Sequence, residues 1–377
     1  MVTVDVMRTG APDLDDVEEL IAADVEGLLQ SVALAGAQVR SVSEAQREGV
    51  LEPLAGLRPR SVVVVTGAGA IARDAVDLVV ATVAARVDVP IVTAPTLPGW
   101  IGPLDVVVLA GDDAGDRALA DAGARAGRRR AEIVILAPLE GPLREALGGN
   151  GIDLSPRVGV DPRFRFAGHV VALLAVFVAL SEVRFTGSAP AIADIAETLD
   201  AEAATNHPSA ESFRNRAKLL AARLDDRPVV WTGDTPASDA AARRAARAVL
   251  AIGGIVSAAA EPADVGRLVA EAARRSGSST ADSIFYDPEI DGPPPSPAPR
   301  VLVMSTPARE WTTRRRLLGL GEIEVITGAE ADEVSSPAPI GPDESVTDTP
   351  ADLSAYLVSL LRIEMAAVYL RLVGYES

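Results

Sequence analysis

Cysteine is absent, which removes disulfides, thiolate nucleophiles and zinc–thiolate centres from consideration. Lysine occurs once, at Lys218, so Schiff-base chemistry has a single candidate and every other cationic side chain is arginine. Histidine occurs only at 169 and 207, and with these two no Ser/His/Asp set and no two-histidine metal arrangement is on offer. His169 lies in an apolar run and reads as a satisfied core histidine. No apolar stretch approaches bilayer length; the nearest, 169–180, is about a dozen residues and reads as a core helix. The start of the chain carries an acidic segment, Asp13 to Glu19, instead of a basic-then-apolar pattern, so no secretion signal is expected and the cytoplasm is the default. Positive charge is also in deficit. The net charge of −18 disfavours nucleic acid and anionic membrane as partners, because both are polyanions.

What is present is a chain of 377 residues, 48% hydrophobic and much of that alanine, long enough for two domains each with its own core. Its most informative stretch is 61–116. Ser61-Val62-Val63-Val64-Val65 is an unalternated β-branched run, as expected of a parallel strand buried on both faces. It enters the small-residue turn Thr66-Gly67-Ala68-Gly69-Ala70, followed by an apolar helical stretch to Ala85. Asp105-Val106-Val107-Val108-Leu109-Ala110 repeats the plan and enters Gly111-Asp112-Asp113-Ala114-Gly115-Asp116. Such turns leave amide N–H groups facing the crevice at the carboxyl ends of the strands, where an anion can sit. The two turns differ in chemistry. Gly67 and Gly69 admit a ligand to the backbone and Thr66 adds a hydroxyl, whereas Asp112, Asp113 and Asp116 oppose a phosphate unless a metal or arginine intervenes.

In chain order, residues 12–47 read as two amphipathic helices, and 89–92 as a short strand. A helix over 117–130, a strand over 132–136, a short helix over 142–147 and a helix over 162–184 complete a first α/β unit. A connector at 187–190 and a helix over 191–204 lead to a second unit. There, strands are expected at 227–233, 254–260, 300–304 and 322–326. Helices are expected at 238–252, 262–275, from 309, and at 351–373, with a stiff proline-rich linker at 293–299. Alternation of strand and helix makes both sheets parallel and doubly wound. The expected division is 1–185 and 186–377, joined near 186–212.

Several motifs resemble the bifunctional phosphoglucose/phosphomannose isomerases of the sugar isomerase (SIS) superfamily. They are Thr96-Leu97-Pro98-Gly99-Trp100-Ile101-Gly102-Pro103, Gly67 to Ile71 with Asp74, and Pro162-Arg163 with Ala167-Gly168. Asn215 with Ala217 and Lys218, Arg314-Arg315-Arg316, and Leu353 to Leu357 extend the likeness over most of the chain. The resemblance implies two SIS-type α/β domains after a helical N-terminus, a homodimer, no cofactor and no metal. It also implies a sugar phosphate ligand of the glucose 6-phosphate or mannose 6-phosphate kind. Thr66, Gly67, Gly69, Gly111, Asp113, Asp116 and Lys218 are the substrate-binding positions it points to. The family's hydroxyl-rich turn falls on Gly111, Asp113 and Asp116, its acid/base glutamate on residues 251–254, which contain no carboxylate, and its second-domain histidine has no counterpart. The expectation is therefore an isomerase-like protein with weak or lost activity; the alternative is a non-catalytic sugar-phosphate sensor or assembly partner. Two further readings stay open for the turns. Gly67-x-Gly69-x-x-Ala72 matches part of a dinucleotide fingerprint but lacks an acidic residue after the next strand. Asp112, Asp113 and Asp116 could hold magnesium, or simply cap a helix.

Overall fold

The computed structural model describes residues 13–277, 298–320, 323–328 and 348–374. The expected linker therefore lies outside the described residues except for its last two positions, 298 and 299.

The valine-rich runs form strands because β-branched side chains fill a sheet covered on both faces. β1 (Ser61–Val65) and β3 (Asp105–Leu109) are buried at every position. With β2 (Ile91–Ala94), β4 (Glu132–Ile135) and β5 (Ile152–Asp153) they make a parallel sheet of order β2-β1-β3-β4-β5. β1 and β3 are in register, Val63 opposite Val107. The second sheet is also parallel, order β7-β6-β8-β9, from β6 (Val229–Gly233), β7 (Ser257–Ala259), β8 (Arg300–Met304) and β9 (Ile323–Ile326). Each sheet reverses its winding beside its first strand, between β1 and β3 and between β6 and β8. Those are the places where a doubly wound fold opens a ligand crevice.

The helices cover the sheets as the alternation requires. Before the first sheet come α1 (Val17–Ala23), α2 (Leu28–Ala33) and α3 (Ala35–Arg47). α4 (Ala70–Val83) and α7 (Phe166–Ala179) pack on one face of that sheet, and α5 (Arg117–Arg128) and α6 (Gly141–Leu147) on the other. The stretch read as one helix over 162–184 is a 3₁₀ turn at Pro162–Phe164 followed by α7, which stops at Ala179. α8 (Ile192–Thr205) and α9 (Arg216–Asp226) then lead into the second sheet, which carries α10 (Pro236–Gly253), α11 (Pro262–Gly277), α12 (Glu310–Arg316) and α13 (Leu353–Val373).

Two expectations need correction. The halves do not keep wholly separate cores: one apolar cluster runs from Val62 and Val64 through α4 and α7 to α10, α13 and Trp231. Smaller clusters lie on the outer face of each sheet. Nor is 169–180 the nearest approach to a bilayer-length stretch. The helical segment Pro350–Val373 is long and apolar enough by length and composition, and 89% of its most apolar window is buried inside the protein. Its hydrophobicity has no sidedness because neighbours surround it. Its charges are paired inward, Arg362 with Glu202 at 2.6 Å and Glu364 with Arg244 at 2.5 Å.

Charged pairs also join the halves. α10 presents Arg243, Arg244 and Arg247 to α4, where Asp77 lies 3.8 Å from Arg243 and Asp74 pairs with Arg247. Arg244, almost fully buried, also donates to the Arg163 carbonyl at 3.1 Å and stacks over Phe166.

Candidate functional site

Because β1 and β3 are adjacent and in register, the turns that follow them lie side by side. The first is built to leave donors open. Gly67 takes a left-handed conformation (φ +54°), and Gly69, the residue before α4, has no side chain with which to cap it. Helix starts of this kind leave amide donors without intrahelical partners.

Those donors are filled by the second turn. The Asp112 carboxylate accepts from Ile71 N–H at 3.0 Å and Ala72 N–H at 3.1 Å. The Asp116 carboxylate accepts from Ala68 N–H at 2.8 Å, while its other oxygen caps α5 by accepting from Ala118 N–H at 2.8 Å. A negative group at a helix start is favoured by both hydrogen bonding and the helix dipole. The glycines serve this arrangement directly. A Cβ on Gly67 would sit 2.2 Å from the Asp116 carboxylate, and one on Gly69 would sit 2.6 Å from that of Asp112. Each would force the carboxylate away from the amides it accepts from.

The other predicted site residues fall differently. Gly111 makes room for packing, since a Cβ there would meet Leu119 at 2.2 Å. Thr66 is buried at the end of β1, its amide bonded to the Ala94 carbonyl at 3.2 Å. Asp113 is exposed and accepts only from Gly115 N–H, at 2.8 Å, within its own turn. Lys218 is not brought to the crevice contacts. Its ammonium is buried, donating to the carbonyls of Pro208 at 2.8 Å and Ala210 at 3.0 Å and lying over the Tyr369 ring. Burial pushes its pKa down. The only lysine thus ties the connector between α8 and α9 to α13.

Asp112, by contrast, is the residue on which most of the crevice converges. Arg165 donates to its backbone carbonyl at 3.1 Å, and His169 Nε2 lies 3.2 Å from its carboxylate without hydrogen-bond alignment. His169 is buried as expected. Among the described residues no group of three histidines or acidic side chains converges as a metal would require. The three aspartates of the turn are engaged with three different sets of amides.

The second crevice, between β6 and β8, is closed by hydroxyls. Thr235 and Ser238 form a reciprocal capping box at the start of α10. Ser305, after β8, bonds Thr313 at 2.9 Å, and Thr313 reaches Asp234 at 3.3 Å. Arg316 pairs with Asp234 at 3.2 Å. Asp348 is buried against the hydroxyls of Thr235 and Tyr356, with Arg309 at 3.8 Å. Burial holds its carboxyl above the usual range. Sequence reading missed Asp348, which follows a polar, proline-rich stretch with no local pattern, and it missed the cap at Thr235 by starting the helix at Ser238.

No family model matches the chain, and no curated protein does. Solved structures do. A protein from Clostridium novyi, provisionally named a tagatose-6-phosphate ketose/aldose isomerase, aligns with a TM-score of 0.59 at 15% identity, over 97% of this chain and 93% of that one. The C-terminal domain of glucosamine-fructose-6-phosphate aminotransferase from Francisella tularensis aligns at 0.54 and 10% identity, over 96% and 99%. A glucose-6-phosphate isomerase-like protein from Thermus thermophilus aligns at 0.50 and 15% identity, over 97% and 94%. Two parallel sheets wound in the same order across nearly the whole chain define the class: the fold is that of the SIS-type phosphosugar isomerases. At these identities the likeness is one of fold.

Proposed function

We propose that the chain is a phosphosugar-isomerase-like protein, of the phosphoglucose/phosphomannose type, whose first crevice is occupied by its own carboxylates. It turns over glucose 6-phosphate and mannose 6-phosphate weakly or not at all. The observation that carries this reading is the pair of aspartates, Asp112 and Asp116, seated on the amides of Ala68, Ile71 and Ala72. A substrate phosphate entering there must displace two carboxylates or lie beside them. Repulsion between unit charges about 4 Å apart is roughly 1 kcal/mol in water and about 4 kcal/mol near a protein surface. A phosphate carries more than one charge and faces two aspartates, so the penalty exceeds what the vacated amides return. The absence of a carboxylate at 251–254 and of any histidine after 207 removes the proton-transfer groups as well.

On this reading the protein keeps the two-domain SIS arrangement, divided near residue 185, assembles as a homodimer and works in the cytoplasm. Its role is that of a sugar-phosphate-related sensor or assembly partner more than a catalyst. No specific observation favours the nucleotide reading, because Ile91-Val92-Thr93-Ala94-Pro95 supplies no acidic side chain for a ribose. A coupled assay with fructose 6-phosphate, run with and without magnesium, tests the proposal. Turnover at the background rate is expected; robust turnover refutes the self-occupied site. Sedimentation of a monomer at micromolar concentration would remove the dimer.

A further inference from the structure

The turn between α6 and β5, residues 148–151, is exposed at every position. Gly148 ends α6 in the left-handed conformation (φ +57°), and Gly149 and Gly151 also hold positive φ, +84° and +109°. A Cβ added to Gly148 or Gly149 would meet no atom within 4 Å. Between them and Gly151 stands Asn150, whose side-chain amide donates to the Leu147 carbonyl at 3.0 Å, at the end of α6. The Gly151 N–H, just ahead of the edge strand β5, donates to no acceptor among the described residues.

The chain has two other asparagines, Asn206 and Asn215, and both are fully buried. Their side-chain oxygens accept from Ala217 N–H at 2.8 Å and Lys218 N–H at 2.9 Å, and their amides donate to the carbonyls of Glu202 and His207. They are followed by His207 and Arg216, whereas Asn150 alone is followed by glycine. Exposure, an unengaged neighbouring N–H and the absence of a Cβ on that neighbour therefore coincide at one asparagine only.

We propose that Asn150-Gly151 is a site of spontaneous covalent modification, in which the Gly151 nitrogen closes on the Asn150 side chain. The Gly151 N–H gives its proton to hydroxide, and the nitrogen bonds Asn150 Cγ. The Cγ–Nδ2 bond breaks, and ammonia leaves after taking a proton from water. The five-membered imide then adds water at one of its two carbonyls. Opening at the side-chain carbonyl leaves aspartate; opening at the main-chain carbonyl leaves isoaspartate, with one extra carbon in the backbone. Nothing is oxidised or reduced, and water is the only co-reactant. Either product replaces the amide that donates to Leu147 with a carboxylate, at the negative end of α6. Isoaspartate also lengthens the chain just before Ile152, which pairs with Val134, so the modification loosens the edge of the first sheet.

Incubating the folded full-length protein at mildly alkaline pH, followed by peptide-resolved mass spectrometry, reads all three asparagines in one sample. The amide-to-acid mass change should accumulate at Asn150 about tenfold or more faster than at Asn206 or Asn215, where reaction waits on local unfolding. The rate should rise with pH, because hydroxide takes the proton, and an isoaspartate-specific methyltransferase should label the same peptide. Asn150→Gln should abolish both signals there. Gly151→Ala is not a clean control, since a Cβ would lie 3.0 Å from Ile135 at a φ of +109°. Asn150→Asp, which carries one of the two products, should melt about 1–3 °C below the natural protein. The proposal is overturned by an Asn150 that survives in the folded protein while a urea-unfolded sample loses it, by equal rates at all three asparagines, or by acid without isoaspartate. An unchanged melting temperature in Asn150→Asp overturns the stated consequence for β5.

Discussion

The two crevices of this protein occupy equivalent places in their sheets and are finished in opposite ways. At β1–β3 the helix start has no side-chain cap, and the open amides are taken by carboxylates reaching across from the neighbouring turn. At β6–β8 the helix caps itself with Thr235 and Ser238, and the nearby carboxylates, Asp234 and Asp348, are held by hydroxyls and arginines. At the first crevice the helix-start amides are taken by carboxylates of the neighbouring turn, and at the second by the helix's own hydroxyls. A glycine-rich turn is thus ambiguous by itself, because the close approach it permits serves a protein carboxylate as well as a ligand phosphate.

The largest predicted effect falls on the seam between the halves. Glu364→Ala leaves the buried Arg244 without its nearest carboxylate and should destabilise the protein by about 3 kcal/mol or more. Glu364→Gln keeps an acceptor and should cost less. Urea unfolding checks both, and equal small effects would show that the buried Arg244 does not depend on this carboxylate. Next comes Asp112→Ala, which frees two amides at the start of α4 and should cost about 1–3 kcal/mol. Asp113→Ala should stay within about 0.5 kcal/mol, since its carboxylate meets only Gly115 at the surface. Equal losses in the two variants would break the contrast between an engaged and an idle aspartate.

A smaller effect separates the halves by pH. In the first sheet Asp105 is pushed up by burial, but Arg60, the Gly102 amide and the Ser61 hydroxyl outweigh this and hold it below the usual range. Its contribution is present above about pH 4 and is lost as pH falls through the lowered value. Asp348 is the reverse: raised by burial, it favours the folded state in acid, and that contribution is lost as pH rises from about 4 through its raised value. Asp348→Asn should therefore gain in melting temperature relative to the natural protein as pH rises from 4 to 7, whereas the deficit of Asp105→Asn should stay constant over that range and shrink only as pH falls below about 4. A gain that shrinks as pH rises would show that Asp348 is stabilised as the anion.

Much of the fold was legible because the signals are local. Unalternated valine runs, small-residue turns and strand–helix alternation fix two parallel sheets, and β1, β3, β6 and β8 lie close to where those patterns put them. The shared core was less legible. The alanine-rich face of α10 and the all-round apolarity of α13 show that they are buried but not that they join one cluster spanning both sheets. The site was legible only in outline. The turn at 111–116 drew attention through its aspartates, yet which of them faces the amides depends on a register between two turns about forty residues apart. Asp112, left out of the expected binding set, carries the contact, and Asp113, included in it, points to solvent. Lys218 entered the expected binding set through the resemblance alone, and its ammonium is held in the interior by the carbonyls of Pro208 and Ala210.

The central claim, that Asp112 and Asp116 stand where a ligand anion would, is tested most directly by removing them. Backbone-amide NMR of the natural protein and an Asp112→Ser/Asp116→Ser variant, each titrated with inorganic phosphate, reads the site itself. The account predicts that the amide signals of Ala68, Ile71 and Ala72 stay fixed in the natural protein and move saturably in the variant. Saturable movement of those three amides in the natural protein, or no movement in a folded variant, would contradict it.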